Sequence, residues 1–182
     1  MRRYFVVFAI LLGVAIGAAV FMQSDDVAAQ SSTRGQDGQA LARQPFEAQF
    51  WNYLQQANYK NWAPAPGQNG DFYEGQSPHG AFLKMYLNRT AIANAKNLPN
   101  RSIVIKENYG PDKKTLMAVT VMYRSKGYDP AHNDWYWIKY NPDGTVAKAP
   151  PAMGSMPLAG KVNGCIKCHG DADCGDFAFL ND

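Results

Sequence analysis

The sequence predicts an α+β fold, a small antiparallel β-sheet packed with helices, with a cofactor-type motif near the C-terminus. Three observations predict it. Residues 81–88 and 102–109 divide their side chains between two faces with period two, the mark of strands, and 115–123 and 134–140 read as two more. Only Gly110-Pro111-Asp112 and its neighbours separate the second run from the third, and a parallel crossover needs about a dozen residues, so this pair is an antiparallel hairpin. One stretch, 45–58, instead repeats its apolar residues (Phe46, Phe50, Tyr53, Leu54, Ala57) at helical spacing.

Each element has a local reason. Pro45 suits a first helical turn, because it lacks an N–H that would find no partner there. Residues 63–80 hold three Pro and four Gly and read as a loop. In the first strand Ala81, Leu83, Met85 and Leu87 share one face; Phe82, Lys84, Tyr86 and Asn88 share the other. Thr90 is placed to cap a short helix over 91–97, stopped by Leu98-Pro99-Asn100. The second strand puts Ile103, Ile105, Glu107 and Tyr109 on one side and Val104, Lys106 and Asn108 on the other. Asn141-Pro142-Asp143-Gly144 is a strong turn signal. Helices are expected against one side of the sheet.

Composition narrows the function classes. The 182 residues carry 18 Lys and Arg against 15 Asp and Glu, a net charge of +3, and no basic run exceeds two residues, which argues against nucleic acid. Four Trp, ten Tyr and nine Phe give enough surface to bury, which excludes wholesale disorder. Met1-Arg2-Arg3 precedes an uncharged apolar run over 4–22, the arrangement of a signal peptide or a membrane anchor. The expected organisation is therefore 1–29 as that segment, 30–41 as linker and 42–182 as the functional domain. Either fate of residues 1–29 puts the domain in a periplasmic or other extracytoplasmic location.

The chemical signal is Cys165-Ile166-Lys167-Cys168-His169. Two thiols three positions apart, followed at once by His, are an attachment site for a c-type haem. On one helical turn both sulfurs can reach the vinyl groups of one porphyrin, and His169 becomes the iron ligand. One such motif implies one covalent haem, with its iron, per chain. A structural zinc site built from Cys165, Cys168, His169 and Cys174 is an alternative, as is a redox dithiol. The second axial position stays open to Met153, Met156, Met85, Met117 and Met122 by chemistry, and to the two other imidazoles, His79 and His132.

From these residues the chain resembles the cytochrome P-460 and cytochrome c′-beta superfamily. The likeness is carried by Ser77-Pro78-His79-Gly80-Ala81-Phe82, by residues 103–110 (IVIKENYG), 119–128 (VTVMYRSKGY) and 134–140 (DWYWIKY), by the turn at 141–144, and by the late attachment motif. It implies a β-rich homodimer whose haem is five-coordinate or water-ligated. It implies two functions: binding of a small ligand such as nitric oxide, with or without electron transfer, or oxidation of hydroxylamine by a haem that carries an extra bond from a lysine. A low-spin electron carrier with a Met ligand is the third reading, and a redox partner cytochrome would take electrons. Lys84, Lys96 and Lys106 are the candidates for the lysine link. Glu107 is the candidate proton acceptor and Arg124 the candidate anion stabiliser. Phe82, Tyr86, Trp135, Trp137 and Tyr140 are candidates for packing around the ring. Whether the protein is an enzyme, a hydroxylamine oxidoreductase, stays open at this stage.

Overall fold

In the computed structural model, residues 44–173 and 175–180 are described. Six strands form one antiparallel sheet in chain order: β1 (Tyr73–Glu74), β2 (Phe82–Leu87), β3 (Ile103–Tyr109), β4 (Leu116–Arg124), β5 (Trp135–Tyr140) and β6 (Ala159–Gly160). Three helices accompany it: α1 (Phe46–Gln56), α2 (Arg89–Ala93) and α3 (Asn163–His169). The four long strands fall where the sequence places them. β1 and β6 are new, since two residues are too short to show a period. The expected helix over 91–97 is the five-residue α2. Its cap is Asn88, not Thr90: the Asn88 side-chain oxygen accepts from Ala91 N at 2.9 Å and from Ile103 N at 3.1 Å, tying the helix start to β3.

Both faces of the sheet are buried, which corrects the expectation of helices on one side. One face carries Met85, Leu87, Val104, Met122, Trp135 and Trp137, packed with Leu98 and with Ile166 of α3. The other carries Ile103, Ile105, Val119, Val121, Ile138 and Tyr140, covered by Phe50 and Leu54 of α1 and by Tyr59. Two buried faces explain why β4 reads as a near-continuous apolar run. Leu54 is fully buried, and truncating it to Ala costs about 2–5 kcal/mol. Antiparallel register sets which residues share a face: Lys106 lies opposite Met85 and Thr120, and Glu107 opposite Lys84 and Val119. The ladder shifts at Asn108/Tyr109, where β3 passes from Ala118 to Leu116 and leaves Met117 exposed.

Among the described residues no helix is long and apolar enough to cross a membrane, so the expected membrane anchor finds no support there. The run over 4–22 on which that expectation rested lies outside the described residues, as do the rest of the 1–29 segment, the 30–41 linker and Cys174. The chain is described alone, so the expected homodimer and partner cytochrome find no support in it.

Candidate haem-attachment site

The motif forms α3. Ile166 N donates to Val162 O at 3.0 Å and Gly170 N to Ile166 O at 2.8 Å, so the thiols of Cys165 and Cys168 lie three residues apart on one face. Ile166 and His169, also three apart, are the buried side, and they dock α3 on the Trp137 face of the sheet. Cys165 is half-buried against the core and Cys168 is exposed. Burial pushes the Cys165 thiol above its usual value.

His169 is fixed at one nitrogen and free at the other. Its Nδ1 donates to the Phe177 carbonyl at 2.8 Å, which leaves the Nε2 lone pair for a ligand bond. Its ring lies 4.8 Å from that of Trp137, 5.3 Å from that of Phe179 and 6.2 Å from that of His79. Burial, helped by the charge of Lys106 and opposed by the Phe177 hydrogen bond, lowers its pKa to about 4. The imidazole is therefore neutral at pH 7, the form that binds metals.

The Phe177 carbonyl is itself held. Phe177 has φ +61°, a strained value for a bulky residue. The preceding Asp176 pairs with Arg124 at 2.9 Å and accepts from Leu98 N and Asn133 Nδ2, both at 3.4 Å. Its backbone oxygen accepts from Trp135 Nε1 at 2.8 Å. Arg124 also donates to Leu98 O. This corrects the role expected for Arg124: its guanidinium is committed to Asp176, where it braces the segment that orients His169. Trp135, expected beside the ring, is fully buried beneath Arg124 and anchors the same segment.

Alternation settles the remaining expectations. Trp137 shares the face of α3, as do the buried Met85 and Met122. Phe82, Tyr86 and Tyr140 point to the opposite face, because Leu83, Met85 and Leu87 take the site face of β2. Lys84 lies on that opposite face, 4.6 Å from the centre of the Phe72 ring. Lys96 is exposed beyond α2. Of the two strand lysines, Lys106 stands on the site face, where burial lowers its pKa and its charge reaches both His79 and His169. Met117, Met153 and Met156 are exposed at 58%, 73% and 67%.

Glu107 also points away from α3, which corrects its assignment as proton acceptor at the iron. It is 1% exposed and accepts hydrogen bonds from Tyr59 at 2.8 Å, Tyr86 at 2.9 Å and Tyr109 at 2.8 Å, with Lys60 Nζ at 3.1 Å. Burial pushes its carboxyl up, but the bonds from Tyr109, Tyr59, Lys60 and Tyr86 outweigh this and leave it below its ordinary pKa. This cluster is structural. Sequence reasoning missed two residues of the site, Asp176 and Asn108; neither carries a local signal, since each acts on a group distant in the chain.

The site fits a porphyrin. Three buried side-chain polar atoms lack a hydrogen-bond partner, and two of them, Trp137 Nε1 and Tyr73 OH, belong to the core of the α3 face. A ring bearing carboxylates would supply acceptors there. Among the described residues no group of three or more His, Cys, Asp or Glu side chains is placed to hold a metal ion.

These features together define a class: an α+β domain with a thiol–thiol–imidazole helix docked on one face of its sheet. A family model described as cytochrome P460 matches residues 56–180, and the chain belongs to that family. No curated protein matches the chain.

Proposed function

We propose that the chain is an extracytoplasmic haem c protein that oxidises hydroxylamine, its haem bound to Cys165, Cys168 and Lys106 and its iron to His169. The carrying observation is Lys106. Of the two candidate lysines on strands, Lys84 and Lys106, only Lys106 shares a face with His169, and burial favours its neutral, nucleophilic amine. Family membership supports an oxidative role.

The haem, when bound, would accept electrons from the substrate. The protein's own residues do the rest. The Asp176–Phe177 segment holds His169 Nδ1, so that Nε2 serves the iron. The Trp137 face excludes water. A lysine link would join Lys106 Nζ to a porphyrin carbon, with one hydrogen removed from each. That is a two-electron oxidation, for which a peroxide, reduced to water, is a sufficient oxidant.

Tryptic digestion of the purified holoprotein tests the reading. The expected product is one haem carrying both the Cys165–Cys168 peptide and the Lys106 peptide, with hydroxylamine oxidation lost in Lys106→Ala. A haem carrying the cysteine peptide alone, with oxidation absent, would leave small-ligand binding as the function.

A further inference from the structure

We infer that Asp129 is a positioning residue for His169: through it the 129–134 loop clasps the segments before and after α3 and fixes the hydrogen bond that holds the imidazole. The inference rests on the haem attachment proposed above and adds a second hold on that site.

The loop joins β4 to β5 and is curled around Asp129. Its neck closes where Ser125 N donates to Asp134 O at 2.9 Å. Within it the Asp129 carbonyl accepts from His132 N at 2.9 Å and from Asp134 N at 2.8 Å, and Asp134 Oδ1 accepts from Asp129 N at 3.1 Å. Asn133 and Asp134 take φ of +53° and +63°, the left-handed region that Asn and Asp tolerate best among residues with a side chain. The turn leaves the Asp129 side chain only 5% exposed.

From there the loop reaches both flanks of α3. Ahead of the helix, Asp129 Oδ1 pairs with Lys161 Nζ at 3.1 Å, and Val162 then accepts the first helical bond, from Ile166 N. Beyond the helix, Asn133 Nδ2 donates to Gly175 O at 2.8 Å. His132 Nδ1, 2.8 Å from Asp129 Oδ2, holds its ring 5.8 Å from that of Phe177 and nearly perpendicular to it. Phe177 supplies the carbonyl that accepts from His169 Nδ1. One carboxylate thus ties the chain entering α3 with one oxygen and steadies the chain leaving it with the other. The Arg124–Asp176 pair holds only the leaving chain. A hydrogen bond at Nδ1 makes an imidazole a stronger donor to its metal, so slack in the clasp weakens the iron–nitrogen bond.

Two readouts on the full-length holoprotein test this. One is the iron–imidazole stretching band of the ferrous form, by resonance Raman. The other is solvent exchange of the His169 Nδ1 proton, by NMR of the ferrous carbon monoxide form. In Asp129→Asn the band is expected at lower frequency, and the proton should exchange about tenfold faster because the segment opens more easily. Lys161→Met and His132→Phe each release half of the clasp and should move both readouts the same way by less. Asp143→Asn removes the same charge from an exposed turn and should move neither. Readouts unmoved in Asp129→Asn, or moved equally in Asp143→Asn, overturn the assignment while leaving the attachment standing. Purified protein without covalent haem overturns both. Where Asp129→Asn fails to fold, the Lys161 and His132 variants decide, and readouts unmoved in both overturn the assignment.

Discussion

Adjacent residues of β3 occupy opposite worlds. Lys106 faces α3, where no carboxylate of the described residues pairs with it and two buried polar atoms lack partners. Glu107 faces α1, where three tyrosines and a lysine satisfy it. A buried charge that is fully bonded is a structural device, whereas one held apart from any counter-charge is a reactive one. The difference teaches that sign and burial alone do not mark a functional group. The completeness of its hydrogen bonding does.

That comparison can be broken by substitution. The largest effect on stability is expected from Glu107→Ala, which strands three phenols and Lys60. Urea denaturation should show a loss of about 3–5 kcal/mol, with the haem spectrum of the folded protein unchanged. A changed spectrum would place Glu107 in the site after all. Asp176→Asn weakens the brace under Phe177 and should cost about 1–3 kcal/mol, but here the absorption maxima should move as well, because His169 loses its fixed orientation. A stability loss with unmoved maxima would separate Asp176 from the iron ligand.

Acid sharpens the same contrast. The folded pKa of Glu107 is depressed, so the stability it contributes is present above its ordinary value near 4.5 and is lost as pH falls through the lower folded value. Urea titrations at decreasing pH should show this loss, and Glu107→Gln should reduce it. The smallest effect is expected from Met153→Leu with Met156→Leu. Both side chains are exposed, and the reduced spectrum should not change.

Much of this was legible in the chain. The long strands and the partition of β3 into two sides follow from local periodicity, and the attachment motif is five consecutive residues. Which side α3 would dock against was not legible, because that depends on Ile166 and His169 meeting Trp137 across a long chain separation. The sequence offers Glu107 and Arg124 as groups at the iron, whereas the structure commits them to Tyr59 and Asp176. His79 was visible as one of two spare imidazoles, but nothing local joins it to Asn108, 29 positions on. Asp129, Asn133 and Lys161 carry no local signal either, since each joins segments distant in the chain.

The central claim is that the α3 face carries a covalently bound porphyrin. Acid–acetone extraction of the purified protein, followed by the alkaline pyridine spectrum of the pellet, tests it most directly. The account predicts one haem per chain retained in the pellet, and loss of that retention in the Cys165→Ser, Cys168→Ser double variant. Haem that extracts entirely, or a zinc ion in its place, would contradict it.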